Sequence, residues 1–452
     1  MKKVLATTVL CVFTFGLMVE PACAILDNKT DKVEKQNTIL DHINYDWWKK
    51  QNDPHLEKYI ASAINNNYDI KTTALKVQQA QLNVQTVRAG QLPTLSVGAG
   101  PAIAKLPEST KSLGSFALPI IASWELDLFG KNWDKTKSAK KLLKGVEYQA
   151  IASDISIVSM VATVYYNIVK LDKMIELQEV LVKDREDIYN LMKLSNDEGI
   201  VSTSDLIQAE KSFVMSQNEL LDYQKARQVA LNSLAVLIGD SPENIKEYQR
   251  IDADELGENF EIPDEISSEI IVNRPDYKSL EHQLEAAGLD VRVAKKEFLP
   301  TLNILGALAF VATSAASSMS WENALALAGG SLNLPIFTGG LKTANLKLNK
   351  NKYEQLLNQY QKTNLVAIQE VNDSLYSFKT DNEKLINNIK ALNIQQKDYG
   401  YSELKYQQGV ISKLDLLQQK EALLYMQKLS TSSKVDCYVD KISLYKASGA
   451  KI

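Results

Sequence analysis

Leu92-Pro93-Thr94-Leu95 returns as Leu299-Pro300-Thr301-Leu302, and Glu198-Gly199-Ile200-Val201-Ser202 returns as Gln408-Gly409-Val410-Ile411-Ser412. The echo runs on into Asp205-Leu206 and Asp415-Leu416, so the offset stays between 207 and 210 residues at two distant points. Agreement of that kind marks a duplicated unit, and a repeat has to be read before any local pattern because it decides the whole architecture.

Each copy reads in the same order. A helical stretch comes first, from about Asp53 to Gln91 and again from about Asp276 to Phe298. Ala74, Val77, Ala80, Leu82 and Val84 give it an apolar stripe, with glutamines on the other face. Pro93 and Pro300 stop these helices, because proline disfavours the helical region in the residue before it. Extended segments follow. From Leu118 to Phe129, Leu118, Ile120, Ala122, Trp124, Leu126 and Leu128 alternate with Ser123, Glu125 and Asp127, the period of a strand with one apolar and one polar face. In the second copy Leu302, Ile304, Leu308 and Phe310 alternate with smaller residues, and Ala324 to Phe337 is rich in Ala, Leu and Gly. Glycine and serine around Ser112 to Ser115 and Ala315 to Ser320 read as connecting loops.

A very long helix comes next, about Asn132 to Ser195 and about Leu341 to Tyr406, with no proline in either. At about 1.5 Å per residue each runs for roughly 100 Å. Val164, Ile168, Leu171 and Ile175 are spaced four, three, four, the narrow seam of a coiled coil. Gly199 and Gly409 end these helices and another helix returns from each, giving two antiparallel hairpins with glycine at the tip.

The chain start reads as an export signal: Lys2 and Lys3, then the apolar run Val4 to Met18, then the small-x-small pattern Ala22-Cys23-Ala24. Cys23 would be acylated under a lipoprotein signal, but the place three residues before it, which such a signal fills with an aliphatic residue, holds Glu20. Cleavage after Ala24 leaves only Cys437, so no disulfide framework is expected. No further run of about 20 apolar residues suggests a membrane helix. The organisation expected is signal peptide 1–24, an N-terminal segment 25–52, a first repeat 53–240, a polar linker 241–275, a second repeat 276–448 and a tail 449–452.

A net charge of −4 points to no nucleic-acid partner. His42, His55 and His282 lack companions at metal-ligand spacing, and no serine sits in a nucleophile elbow, so neither an enzyme nor a cofactor is expected. The strands are the feature a soluble fold does not explain. Two strand pairs cannot close a barrel, and an open sheet cannot sit in lipid. Several copies pooling their strands could form one barrel, with the helices leaving it as a tube.

The residues then carry a resemblance. Trp47-Trp48, Asp53-Pro54, Leu56, Asn67, Asp69-Ile70, Ala80, Pro93, Trp124-Glu125-Leu126-Asp127-Leu128-Phe129-Gly130, Arg274-Pro275-Asp276, Ala286-Ala287, Phe298-Leu299-Pro300 and Pro335-Ile336-Phe337 stand in order across the mature length. In these the chain resembles the TolC family of outer-membrane efflux proteins, in the branch typified by OprM and NodT. The resemblance implies a mixed α and β fold: a duplicated unit of long helical coiled-coil hairpin plus two strands. It implies a homotrimer whose twelve-stranded outer-membrane β-barrel continues into a periplasmic α-helical barrel. The tube would dock on a periplasmic adaptor and an inner-membrane pump of the resistance-nodulation-division type. It would pass small amphiphilic drugs, dyes and detergents without using energy itself. A duct for protein secretion fed by an ABC transporter is the alternative within the same fold, and a periplasmic coiled-coil scaffold without a pore is the alternative outside it.

The resemblance also assigns sites. The adaptor would meet tips formed by Gly199, Ile200, Val201 and Ser202 and by Gly409, Val410, Ile411 and Ser412. Asp415 matches an aspartate that rings the closed pore, while the second aspartate one turn later is Gln418 here, leaving a single ring. Asp205 and Tyr406 match a pair that ties the tips shut, and the basic residue that joins that lock is replaced by Ile411. The plain alternatives are glycine-ended turns, helix-start carboxylates beside a favourable dipole, and a packed tyrosine.

Overall fold

The structure is a computed structural model, and it describes residues 53–104, 113–258, 260–263, 266, 269–312, 321 and 324–449. The signal 1–24 with Cys23, the segment 25–52, the loop Ala315 to Ser320 and the tail beyond Gly449 lie outside the described residues.

The first helical stretch is two helices rather than the single one expected: α1 (Pro54–Asn66) and α2 (Tyr68–Ala89). Asp53 caps α1, its carboxylate accepting from His55 N at 2.9 Å and Leu56 N at 3.1 Å, with proline in the first helical position. Leu56, Tyr59, Ile60 and Ala63 form its buried stripe. Asn67 makes the break. Its side-chain oxygen accepts from Asp69 N and Ile70 N, and its amide donates to Leu237 O at 2.7 Å. The side chain thus supplies bonds that a continuous helix would have made. Gly239, at φ +72°, packs on the same corner, where a Cβ would come within 2.6 Å of Asn66 O. On α2 no residue of the expected apolar stripe is fully buried within one chain, although Val77, Ala80 and Val84 are half-buried.

The strands form one antiparallel sheet. β1 (Thr94–Val97) and β2 (Gly100–Ala104) both pair with β3 (Leu113–Leu126), β3 pairs with β4 (Thr301–Ala312), and β4 with β5 (Ala324–Asn333). The loop expected around Ser112 to Ser115 is shorter than read, since β3 is already running at Leu113. The two copies join along β3 and β4, so that strands about 200 residues apart in sequence are neighbours and β1/β2 and β5 are the free edges. Directly opposite residues share a face. Leu118, Ile120, Trp124 and Leu126 stand opposite Phe310, Leu308, Ile304 and Leu302, and Leu95 and Val97 stand opposite Ala122 and Ile120. That face carries no charged, amide or hydroxyl side chain over Leu118 to Leu126, as the alternation predicts. The opposite face holds Thr94, Ser123, Glu125, Asn303 and Ser331.

Each strand set hands over to a helix through a left-handed glycine, Gly130 at φ +68° and Gly340 at φ +85°. The helices that follow, α3 (Lys131–Asp197) and α7 (Leu341–Gln407), are both 67 residues long. Their returning partners are α4 (Thr203–Ile238) and α8 (Lys413–Ala447). Between the repeats the chain makes two 3-10 turns, Pro242–Glu247 and Ala253–Glu255, the short α5 (Glu269–Val272) and then α6 (Pro275–Lys296).

The seam expected on α3 is wider than four, three, four. Ile168 and Ile175 are buried, but so are Val161, Ala162, Tyr165, Tyr166 and Val169, because α1, α2, α4, α6 and α8 all pack on this helix. α3 holds an 18-residue window apolar enough to cross a membrane, and 56% of it is buried against protein. The narrow heptad seam belongs to α7, where Val371, Phe378 and Leu385 are buried seven apart and Phe378 and Leu385 pack with Cys437 and Leu444 of α8.

Candidate functional site: the two hairpin tips

The tips repeat one another closely along the backbone. Ile200 N donates to Ser195 O at 2.8 Å and Val410 N to Lys405 O at 2.8 Å, while Gly199 and Gly409 stand at φ +70° and +71°. Nothing lies within 4 Å of the place a Cβ would take on either glycine, so handedness rather than space requires glycine there. Ser202 and Ser412 then cap α4 and α8 in matching capping boxes. Asp205 N donates to Ser202 Oγ at 3.2 Å and Ser202 N to Asp205 Oδ2 at 3.3 Å; the same pair of bonds in the second tip measures 3.1 and 3.0 Å. Ile200 and Val410 project at 76% and 67% exposure, with Val201 and Ile411 half-buried behind them.

Asp205 and Asp415 therefore both serve as the third-residue acid of a helix start. Hydrogen bonds from Ser412 hold the Asp415 carboxyl below the usual carboxylate range, so it is ionised at neutral pH although fully exposed. Gln418 is exposed on the next turn. Asp205 and Tyr406 are not joined by a hydrogen bond among the described residues: Asp205 bonds Ser202, and Lys413 Nζ lies 5.7 Å from the Tyr406 ring centroid. The tips differ at this point. Asn196 donates to Val201 O at 3.0 Å, and Tyr406 occupies the corresponding place in the second tip.

Above the tips a polar ladder fastens α8 to α3, which sequence reading did not find. Lys420 donates to Asp184 at 2.7 Å, Arg185 to Glu421 at 3.0 Å, and Lys170 to Asp436 at 3.2 Å. Between them the buried Gln178 receives Lys428 Nζ and donates to Ser216 O at 2.8 Å on α4. Burial lowers the pKa of Lys428. These partners lie 236 to 266 residues apart, and only the repeat offset could have suggested that they meet. Higher on α8, Asp440 faces Asp381 of α7 and Asp436, with Lys384 the cation opposing them; burial, with the neighbouring Asp381 carboxyl, pushes Asp440 up to about 7.

Among the described residues no group of histidine, cysteine or carboxylate side chains is placed to hold a metal. What the chain presents is a two-faced sheet with open edges, carried on paired hairpins with matched tips. The profile of the family described as outer membrane efflux protein matches residues 59–240 and 266–450, and the chain belongs to that family. Its place is the outer membrane, with a periplasmic portion. It is 28% identical over 419 residues to the toluene efflux pump outer membrane protein TtgC of Pseudomonas putida, covering 89% of this chain and 84% of the relative. It is 24% identical over 414 residues to the cation efflux system protein CusC of Escherichia coli, covering 91% and 90%. Among solved structures the CmeC outer membrane channel of Campylobacter jejuni superposes with a TM-score of 0.82 at 25% identity, over 90% of this chain and 88% of that one.

Proposed function

We propose that the chain is the outer-membrane channel of a tripartite efflux system. With β1 and β2, which pair successive parts of β3, counted as one interrupted strand, three copies pool four strands each into one twelve-stranded barrel and their hairpins into one tube, and a small amphiphilic compound moves passively through both. The carrying observation is the sheet. Both edges, β1/β2 and β5, have unpaired backbone groups, and one face is wholly apolar, which is tenable in lipid only when further copies close the ring. Relatives named for toluene and for cations support export as the task and leave the cargo of this chain open.

In this reading the repeats 53–240 and 276–448 each supply one hairpin, joined by the linker 241–275. The exposed Ile200 and Val410, backed by Val201 and Ile411, are the surface for a periplasmic adaptor, behind which stands an inner-membrane pump of the resistance-nodulation-division or ABC type. Asp415 and Gln418 line the pore constriction, where a ring of ionised Asp415 side chains gives a negative potential. Asp205 and Tyr406 steady the two tips against each other.

The test is electron microscopy of the detergent-extracted protein together with its mass in solution. A three-fold particle with a short barrel and a tube of about 100 Å is expected. A monomer, or a thin two-stranded rod, would overturn the channel and leave the scaffold. A deletion strain is expected to become hypersensitive to dyes and bile-like detergents; loss of protein export alone would shift the cargo to polypeptides.

A further inference from the structure

The polar face of the sheet keeps its charged and amide side chains at one end only; farther along it Ser96, opposite Ile121, is a single small hydroxyl side chain among apolar ones. Where β1, β3, β4 and β5 approach the helices it carries Thr94, Ser123, Glu125, Asn303 and Ser331. Farther from the helices the same face changes character. Ile121 stands opposite Ala307, which stands opposite Leu327; Pro119 stands opposite Ala309, which stands opposite Leu325; and Ser123 stands opposite Leu305. Ile121, Leu305, Leu325 and Leu327 are 39%, 51%, 56% and 63% exposed.

These residues cannot be the lipid contact. That part belongs to the other face, which carries Leu118, Ile120, Trp124, Ile304 and Leu308 with no charged or amide group. The face bearing Glu125, Asn303 and Ser331 is the one that can meet water, and the leucines share it. A wet barrel interior is ordinarily lined by polar side chains. Here the apolar stretch on β4 runs from Leu305 to Val311, about 20 Å along the strand at about 3.3 Å per residue.

We infer that Ile121, Leu305, Leu325 and Leu327 form an apolar collar inside the barrel, above a polar collar at its inner end, and that this pair of zones receives the apolar and polar parts of an amphiphilic solute in passage. The inference rests on the channel reading. The collar draws its strength from burying hydrocarbon rather than from hydrogen bonds, so it discriminates by apolar length and tolerates many head groups. It offers an ion no groups to replace its water, so it does not bind ions.

The test uses the full-length protein in planar bilayers, with alkyltrimethylammonium ions from propyl to octyl added on the barrel side. Block of the potassium current is expected to strengthen with each methylene, toward a ceiling of about fourfold per group. Leu325→Asn with Leu327→Asn is expected to flatten that dependence and to leave the potassium current unchanged or larger. Leu325→Ala with Leu327→Ala is the milder pair and is expected to give an intermediate slope; each pair is measured once it runs as an intact oligomer on a gel, as the unsubstituted protein does. Leu332→Ala, on the lipid-facing side, is expected to leave the slope alone. Chain-length-independent block in the unsubstituted channel, or an unchanged slope in both pairs, would overturn the collar while leaving the channel standing. Absence of any current from well-inserted oligomer would overturn the channel reading and the collar with it.

Discussion

Lys420 reaches Asp184 at 2.7 Å across two helices from different repeats, and the Asp184 side chain is only 6% exposed. Its second oxygen, Oδ2, has no hydrogen-bond partner, so the lysine is the main compensation for a charge held away from water. Lys420→Met is expected to destabilise the assembled protein by about 1–3 kcal/mol, below the full buried-pair value because Lys420 itself is part-exposed. Adding Asp184→Asn to that variant is expected to recover part of the loss. Chemical unfolding of the four members of this double-mutant cycle checks both; strictly additive losses would show that the pair does not couple.

The glycines of the tips and of the Asn66 corner separate two kinds of cost. At Gly409 a side chain meets open space, so Gly409→Ala should cost about 1 kcal/mol, the penalty of left-handed backbone alone. Gly239→Ala should cost clearly more, because its Cβ would collide with the backbone of Asn66. Thermal unfolding of the two variants side by side gives the order, and a reversal would mean that the tip is packed in the working assembly.

Asp415→Asn tells the pore from the cap. Asparagine at that place still offers an oxygen to the Ser412 backbone N–H, so α8 should start as before and stability should fall by less than about 1 kcal/mol. Cation preference in planar bilayers, by contrast, should drop, since the ring loses its charge. Unchanged ion selectivity would reduce Asp415 to its capping role.

Asp440 sets a pH trend of known sign. Its pKa is raised to about 7 from 3.8, first by burial and then by Asp381, so the folded chain holds a proton there that the unfolded chain releases above pH 4. Stability should therefore fall as pH rises from about 4 to about 7 and level off beyond. Asp440→Asn should remove this component and be the more heat-resistant form at pH 7.5. Melting curves across that range check it, and parallel profiles for the two forms would sink the assignment.

The repeat was legible because it is written in short strings that fold alike: Gly199 and Gly409 share a φ angle as well as a letter, and an aliphatic residue follows each. Strand alternation at Leu118 to Leu126 likewise gave the apolar face. Less of the packing could be read. Asn67 looked like one polar residue in a helix, and only its bond to Leu237 O, 170 residues away, shows why the helix divides there. Arg274 likewise entered as part of a motif, and beyond its local pairing with Asp276 its bonds to Glu370 and Ala447 O are contacts between distant segments that no local pattern encodes. The broad burial of α3 escaped for a related reason: a heptad count registers one neighbour, whereas this helix has five.

The equal length of α3 and α7 limits how the chain can vary. Both leave the same end of one sheet, so their tips fall at matched depth only while their residue counts agree. Removing one heptad from each arm of a single hairpin would leave its tip about 10 Å short of the other. Insertions and deletions in the hairpins therefore keep the tips level only in matched sets, four helical arms at a time.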